Sequence, residues 1–285
     1  MLPLWFYLSV AAVFGLVIGS FLNVVIYRFH TGRSLNDRSH CLSCGQTLHW
    51  YELFPVFSYL ALRGRCRSCF SFIPYRYALV EILTAGLFVL AYLHATGPIM
   101  FFLLLVLIST LVVGVVYDLY HMIIPDEISA LSAVLALLIV LESGFALAFK
   151  TGNWMSLMTL LGSAILSGLL LSVVYASLWY FSRGRWFGLG DAKLAFSLGM
   201  LVGLGGLFSL FTLSFWIGAV ISVALLALSA LSTKMSSGKG LFKIPRVKIK
   251  SEVPFAPFLV AAFVLVYFFG ADVLASMTRV IELFI

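Results

Sequence analysis

Apolar residues in this chain come in long unbroken runs, and the polar residues collect between them. A helix needs about 20 apolar residues to cross roughly 30 Å of hydrocarbon, so each such run is a candidate crossing. Eight can be drawn, at residues 4–27, 78–96, 99–117, 128–148, 155–181, 192–207, 209–232 and 254–275. The sixth is the shortest, and its Gly199, Gly203, Gly205 and Gly206 suit close helix packing or a turn better than a lipid-facing surface. A transmembrane barrel would show alternation instead of runs. No internal repeat of fixed period points to a solenoid.

Composition strengthens this reading. Of 285 residues 62% are hydrophobic and only 10% charged, with a mean hydropathy of +1.11. Soluble globular domains carry roughly 25% charged residues. Low charge together with 26 Phe also excludes a disordered chain. The expected fold is an all-α polytopic membrane protein of about eight transmembrane helices, with a small cytoplasmic zinc-binding module in the first loop.

The 18 basic residues give this array a direction, because cytoplasmic loops carry an excess of Lys and Arg. Arg28, Arg33, Arg38, Arg63, Arg65, Arg67 and Arg76 lie between the first two crossings. Lys234, Lys239, Lys243, Arg246, Lys248 and Lys250 lie between the seventh and eighth, and Arg183, Arg185 and Lys193 flank the fifth-to-sixth connection. With eight crossings all three loops share one face, leaving Lys150 and Arg279 for the other. Both termini are therefore expected outside and the basic loops in the cytoplasm. The net charge of +7 is mostly this topology signal, and nucleic-acid binding has no further support. The first run lacks a basic leader and a small-residue cleavage site, so it reads as a retained helix.

All four cysteines fall in the first cytoplasmic loop, as Cys41-x-x-Cys44 and Cys66-x-x-Cys69, with 21 residues between the pairs. Two such turns can present four thiolates as a tetrahedron around a structural Zn²⁺. Two disulfides are the alternative, disfavoured by a reducing compartment. Haem attachment would need His after the second Cys, where Gly45 and Phe70 stand. Between the pairs, Trp50, Tyr51, Leu53, Phe54, Pro55, Phe57 and Tyr59 offer either a small apolar core or an interfacial surface.

Only 11 residues are acidic, and Asp118, Asp126, Glu127 and Asp191 crowd the cytoplasmic edge. Ionisable groups at a bilayer are costly enough to be functional candidates. Asp118 closes the third run; Asp191 ends Gly188-Leu189-Gly190-Asp191. Their structural alternatives are snorkelling for Asp118 and an N-cap for Asp191. The topology nevertheless returns both to the same depth although 73 residues separate them. Two carboxylates brought together share a proton, so one can activate water while the other polarises a carbonyl. Gly188 and Gly190 would let a peptide backbone approach closely. Asp126 is the rival partner, with a helix entry after Pro125 as its plainer reading. His121 reads as a solvated loop residue, and Glu81 is left without a role.

Taken in order, Gly19-Ser20-Phe21-Leu22-Asn23-Val24-Val25, the paired C-x₂-C motifs enclosing Pro55-Val56-Phe57-Ser58-Tyr59-Leu60, and Arg76-Tyr77 leading to Val80-Glu81 resemble the bacterial type IV prepilin peptidases. The likeness continues through Asp118 and Ile124-Pro125-Asp126, Gly188-Leu189-Gly190-Asp191-Ala192-Lys193-Leu194, and Pro254-Phe255-Ala256-Pro257-Phe258. The resemblance implies that Asp118 and Asp191 are the catalytic aspartates of a GxGD intramembrane aspartic protease, supported by Gly188 and Gly190. It implies that Cys41, Cys44, Cys66 and Cys69 form the zinc-type module. The implied enzyme sits in the bacterial inner membrane and removes the basic leader of type IV prepilins or of type II secretion pseudopilins. It then methylates the new amino terminus with S-adenosylmethionine. Ala256 departs from the family's usual glycine, which bears on local backbone geometry and not on the chemistry.

The expected division is a first helix over 1–28, the four-cysteine module over 29–76 and a membrane protease core over 77–285. A transporter using membrane-edge carboxylates with a regulatory zinc loop is the competing reading, and a non-catalytic scaffold retaining the zinc loop is a third.

Overall fold

Each apolar run becomes a helix whose ends are set by local chemistry. The computed structural model describes residues 3–31, 34, 36–185, 187–235 and 253–276. Arg33, Lys239, Lys243, Arg246, Lys248, Lys250 and Arg279, which contribute to the charge pattern, lie outside the described residues. The order is α1 (Leu4–Arg28), a 3₁₀ turn (Trp50–Leu53), α2 (Phe57–Ala61), α3 (Arg76–His94), α4 (Pro98–His121), α5 (Asp126–Thr151), α6 (Met155–Ser182), α7 (Leu189–Met235) and α8 (Ala256–Phe269). Helices α1 and α3 to α7 are long and apolar enough to cross a membrane. The chain is a multi-pass membrane protein.

Two crossings differ from expectation. Helix α7 runs 47 residues, about 70 Å at 1.5 Å per residue, which is more than twice the hydrocarbon thickness. It breaks at Gly203, whose φ of 71° and ψ of 175° belong to a region essentially closed to other residues. The sixth and seventh crossings thus divide at Gly203, a few residues earlier than the hydropathy placed them. The last helix is only 14 residues. Gly270 stops it by turning left-handed and donating its N–H to the carbonyls of Leu265 and Val266.

The structure forms two compact units, Met1–Val116 and Tyr117–Ile285. In the first, α1 packs on α3. The buried positions Ala11, Gly15, Gly19 and Leu22 form one stripe of α1. A Cβ at Gly15 would stand 2.6 Å from Ala85 Cα, and one at Gly19 would stand 2.8 Å from Glu81 Cα. Small residues at this seam let the two backbones approach, as in membrane helix pairs. Phe6, Val10, Val13, Val17 and Phe21 are exposed on the remaining surface of α1, where lipid and not water is the expected solvent.

In the second unit α7 is the central helix, packed on α5, α6 and α8. Ser167 Oγ donates to the Gly199 carbonyl at 2.6 Å, and Ser132 and Ser197 hydroxyls pair at 3.0 Å. Both bonds cross between helices, where hydroxyls add polar links to a seam of small residues.

Candidate active site

Three helix ends of the second unit meet around two carboxylates. Asp118 lies in the last turn of α4 and is 4% exposed; Asp191 lies in the first turn of α7 and is 6% exposed. Asp118 is therefore not a residue reaching for water. Its Oδ2 accepts the backbone N–H of Ala256 at 3.2 Å. A carboxylate at a helix C-terminus is poorly placed against the macrodipole, and the opening amide of α8 supplies the compensating positive end. Ala256 is fully buried at this junction, where the packing accommodates its methyl group.

Asp191 is not the N-cap of α7 either. It stands three residues after Gly188 and its Oδ2 accepts the Gly188 N–H at 3.0 Å, the backward half of a capping box. Gly190 lies against the α4–α5 corner: a Cβ there would stand 3.0 Å from Ile124 Cβ and 3.3 Å from the Ile124 carbonyl oxygen. This close approach draws the start of α7 toward the segment that follows Asp118. The two carboxylates act on one another electrostatically.

The neighbouring acids are arranged differently. Asp126 opens α5 after Pro125, as the helix-entry reading expects. Its Oδ1 takes Lys193 Nζ at 2.6 Å, with 76% of the aspartate side chain and 43% of the lysine exposed. Glu127 is exposed beside it. His121 is exposed at the end of α4, its ring 4.3 Å from that of Tyr117.

An aromatic cluster beside Asp191 is not apparent in the sequence. Tyr175 of α6 is fully buried, shares a 2.7 Å hydrogen bond with Ser214 and interacts electrostatically with Asp191. Its ring lies 5.6–6.2 Å from those of Phe187, Phe211, Phe215 and Phe255. These rings come from α6, α7 and the two segments leading into α7 and α8. Only the tertiary arrangement assembles them.

In the first unit the four cysteine sulfurs all lie within 4.8 Å of one another. Cys41 Sγ and Cys69 Sγ are 3.8 Å apart. A tetrahedron with metal–sulfur bonds of about 2.3 Å has edges of about 3.8 Å, so the quartet fits a structural metal. All four are free thiols, with no disulfide among them. Two copies of one turn build the cluster. Cys41 N–H bonds the Gln46 carbonyl and Gly45 N–H bonds the Cys41 carbonyl; Cys66 N–H bonds the Ser71 carbonyl and Phe70 N–H bonds the Cys66 carbonyl. The two turns share Cys-x-Ser-Cys in sequence, and the paired C-x-x-C spacing announces them.

The electrostatics of the quartet suit a dication. The Cys44 N–H, followed by that of Ser43 and the Ser71 and Cys66 side chains, outweighs burial and lowers the Cys41 thiol to about 6. The Ser71 side chain and N–H lower that of Cys69. At Cys44 the Gln46 N–H also pulls down, but burial and the adjacent Cys69 and Cys41 sulfurs outweigh it and push the thiol up to about 11. Crowded thiols resist losing their last protons, and a bound dication relieves that repulsion.

The aromatic stretch between the pairs does not form a core. Trp50 is 74% exposed and Phe57 65%, with Leu53 and Phe54 also exposed. The knuckles are held by their own backbone turns, and these rings are left on the surface.

Residues 13–95 match the bacterial peptidase A24 N-terminal domain, and residues 105–223 match the type IV leader peptidase family. A prepilin leader peptidase/N-methyltransferase from Dichelobacter nodosus is 30% identical over 91% of this chain and 91% of its own length. The chain belongs to the type IV leader peptidase family. This family member is also 36% identical to a prepilin leader peptidase/N-methyltransferase of Myxococcus xanthus strain DK1622, over 75% of the chain but 62% of that protein. With the same-named protein of Bacillus subtilis strain 168 the identity is 29%, over 94% of the chain and 96% of the relative. No solved structure matches. The leader peptidase segment contains both buried aspartates, and the N-terminal domain contains all four cysteines and Glu81.

Proposed function

We propose that this type IV leader peptidase is a membrane aspartic endopeptidase with Asp118 and Asp191 as its catalytic pair. It removes the basic leader of type IV prepilins or pseudopilins and then methylates the exposed amino terminus with S-adenosylmethionine. The observation that carries the reading is the burial of two carboxylates, 73 residues apart in sequence, within electrostatic range of one another where α4 ends and α7 and α8 begin. One aspartate, ionised, takes a proton from water as the oxygen attacks the scissile carbonyl carbon. The other, protonated, donates to the carbonyl oxygen, and collapse of the tetrahedral adduct breaks the C–N bond as the amine is protonated. The amides of Gly188 and Ala256 hold the two carboxylates in place.

The enzyme lies in the inner membrane with both termini outside, and the cysteine module and aspartate pair face the cytoplasm. This orientation rests on the basic loops and brings the pair to the level where a prepilin helix leaves the bilayer. The functional division is a first helix to residue 28, a module over 29–76 and a protease core over 77–285. Zn²⁺ is the metal the four-cysteine set would hold, and its role there is to fix the two knuckles, since four protein ligands leave no open position. No observation favours the transporter reading.

Cleavage of a purified prepilin by the detergent-solubilised protein tests the proposal. Asp118→Asn and Asp191→Asn should each leave the leader attached, and normal cleavage by either variant would overturn the assignment.

A further inference from the structure

The aromatic stretch between the two knuckles has two sides. In α2, Phe57 and Leu60 stand three residues apart on one side, while Ser58 and the C-cap Leu62 stand four apart on another. Ser58, Tyr59 and Leu62 turn inward and, with Glu81, line a cavity of about 350 Å³. Trp50, Phe54, Phe57 and Leu60 take no part in that lining and are each more than half exposed. Large apolar side chains grouped outward in this way mark an interaction surface.

The place of this outer side along the crossing helices names what covers it. Glu81 Oε2 accepts the Val56 N–H at 2.7 Å, and Glu81 stands five residues after Arg76, the first residue of α3. Five residues rise about 7.5 Å along a helix. Side chains lean toward the helix N-terminus, so Val56 is pinned beside the opening turns of α3, where headgroups give way to hydrocarbon. Helix α1 flanks the same level, since a Cβ on Gly19 would stand 2.8 Å from Glu81 Cα. Val56 makes its bond at a φ of 58°, an unusual conformation for a β-branched residue, and its chain neighbours Phe54 and Phe57 are held at that depth. Interfacial segments sink their apolar side about 5–10 Å into the boundary between headgroups and acyl chains, which is this level.

Charge agrees with depth. Between Trp50 and Tyr75 the chain carries Arg63, Arg65 and Arg67 against one acid, Glu52. Glu52 accepts the His49 N–H at 2.8 Å and Arg67 donates to the Tyr51 hydroxyl at 2.7 Å. Arg63 and Arg65 are exposed directly after α2. Two guanidinium groups beside an apolar surface suit the phosphates of anionic lipids. The same charges repel the basic leader of the proposed substrate.

We propose that the outer side of residues 50–60 is a membrane-docking surface. Trp50, Phe54, Phe57 and Leu60 lie in the interfacial layer of the leaflet from which α1 and α3 emerge, and Arg63 and Arg65 bind anionic headgroups. The cysteine module is thereby laid against the bilayer at a third point, besides its two covalent joins to α1 and α3.

The test places the full-length, metal-loaded protein in bilayer nanodiscs of phosphatidylcholine and phosphatidylglycerol containing a phospholipid with a diazirine high on its acyl chain. Trypsin cuts after Arg38 and Arg63, so the peptide 39–63 contains the whole surface and nothing of α1 or α3. Photolabel on that peptide is expected, at least about threefold less of it when phosphatidylglycerol is omitted, and a similar fall in the combined Trp50→Ser, Phe54→Ser, Phe57→Ser variant. Labelling of α1 should stay constant throughout, and zinc content and melting temperature show that the variant is folded. If it does not fold, the label map of the unaltered protein decides alone. A bare peptide 39–63 beside a labelled α1, or equal labelling of the folded variant, would overturn the proposal. So would labelling indifferent to phosphatidylglycerol, or its displacement by a soluble prepilin leader peptide, which would make the surface a peptide-docking one.

Discussion

The N–H of Ala256 reaches Oδ2 of Asp118 across 138 residues of sequence, at 3.2 Å. One carboxylate oxygen is thereby committed to the start of α8, and the side chain is fixed for chemistry at the other. Asn at 118 or 191 keeps an acceptor for the holding amide and loses the proton chemistry. Leader cleavage by either variant should fall by at least about a hundredfold, while thermal unfolding changes little.

Asp126 pairs with Lys193 in the open, and exposed pairs contribute about 0–1 kcal/mol. Asp126→Asn should cleave prepilin at close to the normal rate and melt within a degree or two of the parent. Loss of cleavage equal to that of Asp118→Asn would move the catalytic pair.

Gly190 has backbone and Cβ of Ile124 within 3.3 Å of where its own Cβ would stand. Gly190→Ala must push the start of α7 away from the α4–α5 corner, and misplacement of this kind costs on the order of ten- to a hundredfold in rate. The expected signature is a fall in kcat for leader cleavage with the protein still folded, read by steady-state kinetics beside a melting curve.

The cysteine quartet should hold about one zinc per chain by elemental analysis. Cys41→Ser combined with Cys44→Ser should lose it, and chelation should lower the melting temperature until zinc is restored. Acidification opposes the metal, because protons compete with it for the four thiolates, so zinc content should decline as pH falls.

Gly45 and Phe70 occupy the same place in the two knuckles, with φ of 73° and 55°. The left-handed conformation costs glycine little and phenylalanine about 1–2 kcal/mol. Phe70 is 69% exposed, so its ring adds little packing in return. Phe70→Gly should stabilise the protein by roughly 0.5–1 kcal/mol net of glycine's greater unfolded freedom. A calorimetric melt of the metal-loaded protein checks it.

Much of the fold was legible in the sequence because lipid imposes a local rule: a crossing must be apolar along its whole length, and length alone then locates it. The errors fell where backbone geometry overrides hydropathy. Gly203 interrupts α7 and Gly270 ends α8, and neither conformation is visible to a window that averages side-chain polarity. The aromatic stretch around Trp50 left two readings open, since an exposed ring beside lipid and a buried one in a core share the same composition.

By itself the chain determined the number and order of its apolar spans and the cysteine spacing, and it nominated Asp118 and Asp191 among the edge acids. Those follow from neighbours within a few turns. Only the tertiary structure decided that Asp118 is buried against α8 while Asp126 pairs with Lys193 in the open. It also decided that Tyr175 sits beside Asp191 and that Glu81 faces a cavity. Burial and partnership are properties of groups brought together from distant positions, and no local pattern records which of two nearby carboxylates a remote helix end will meet.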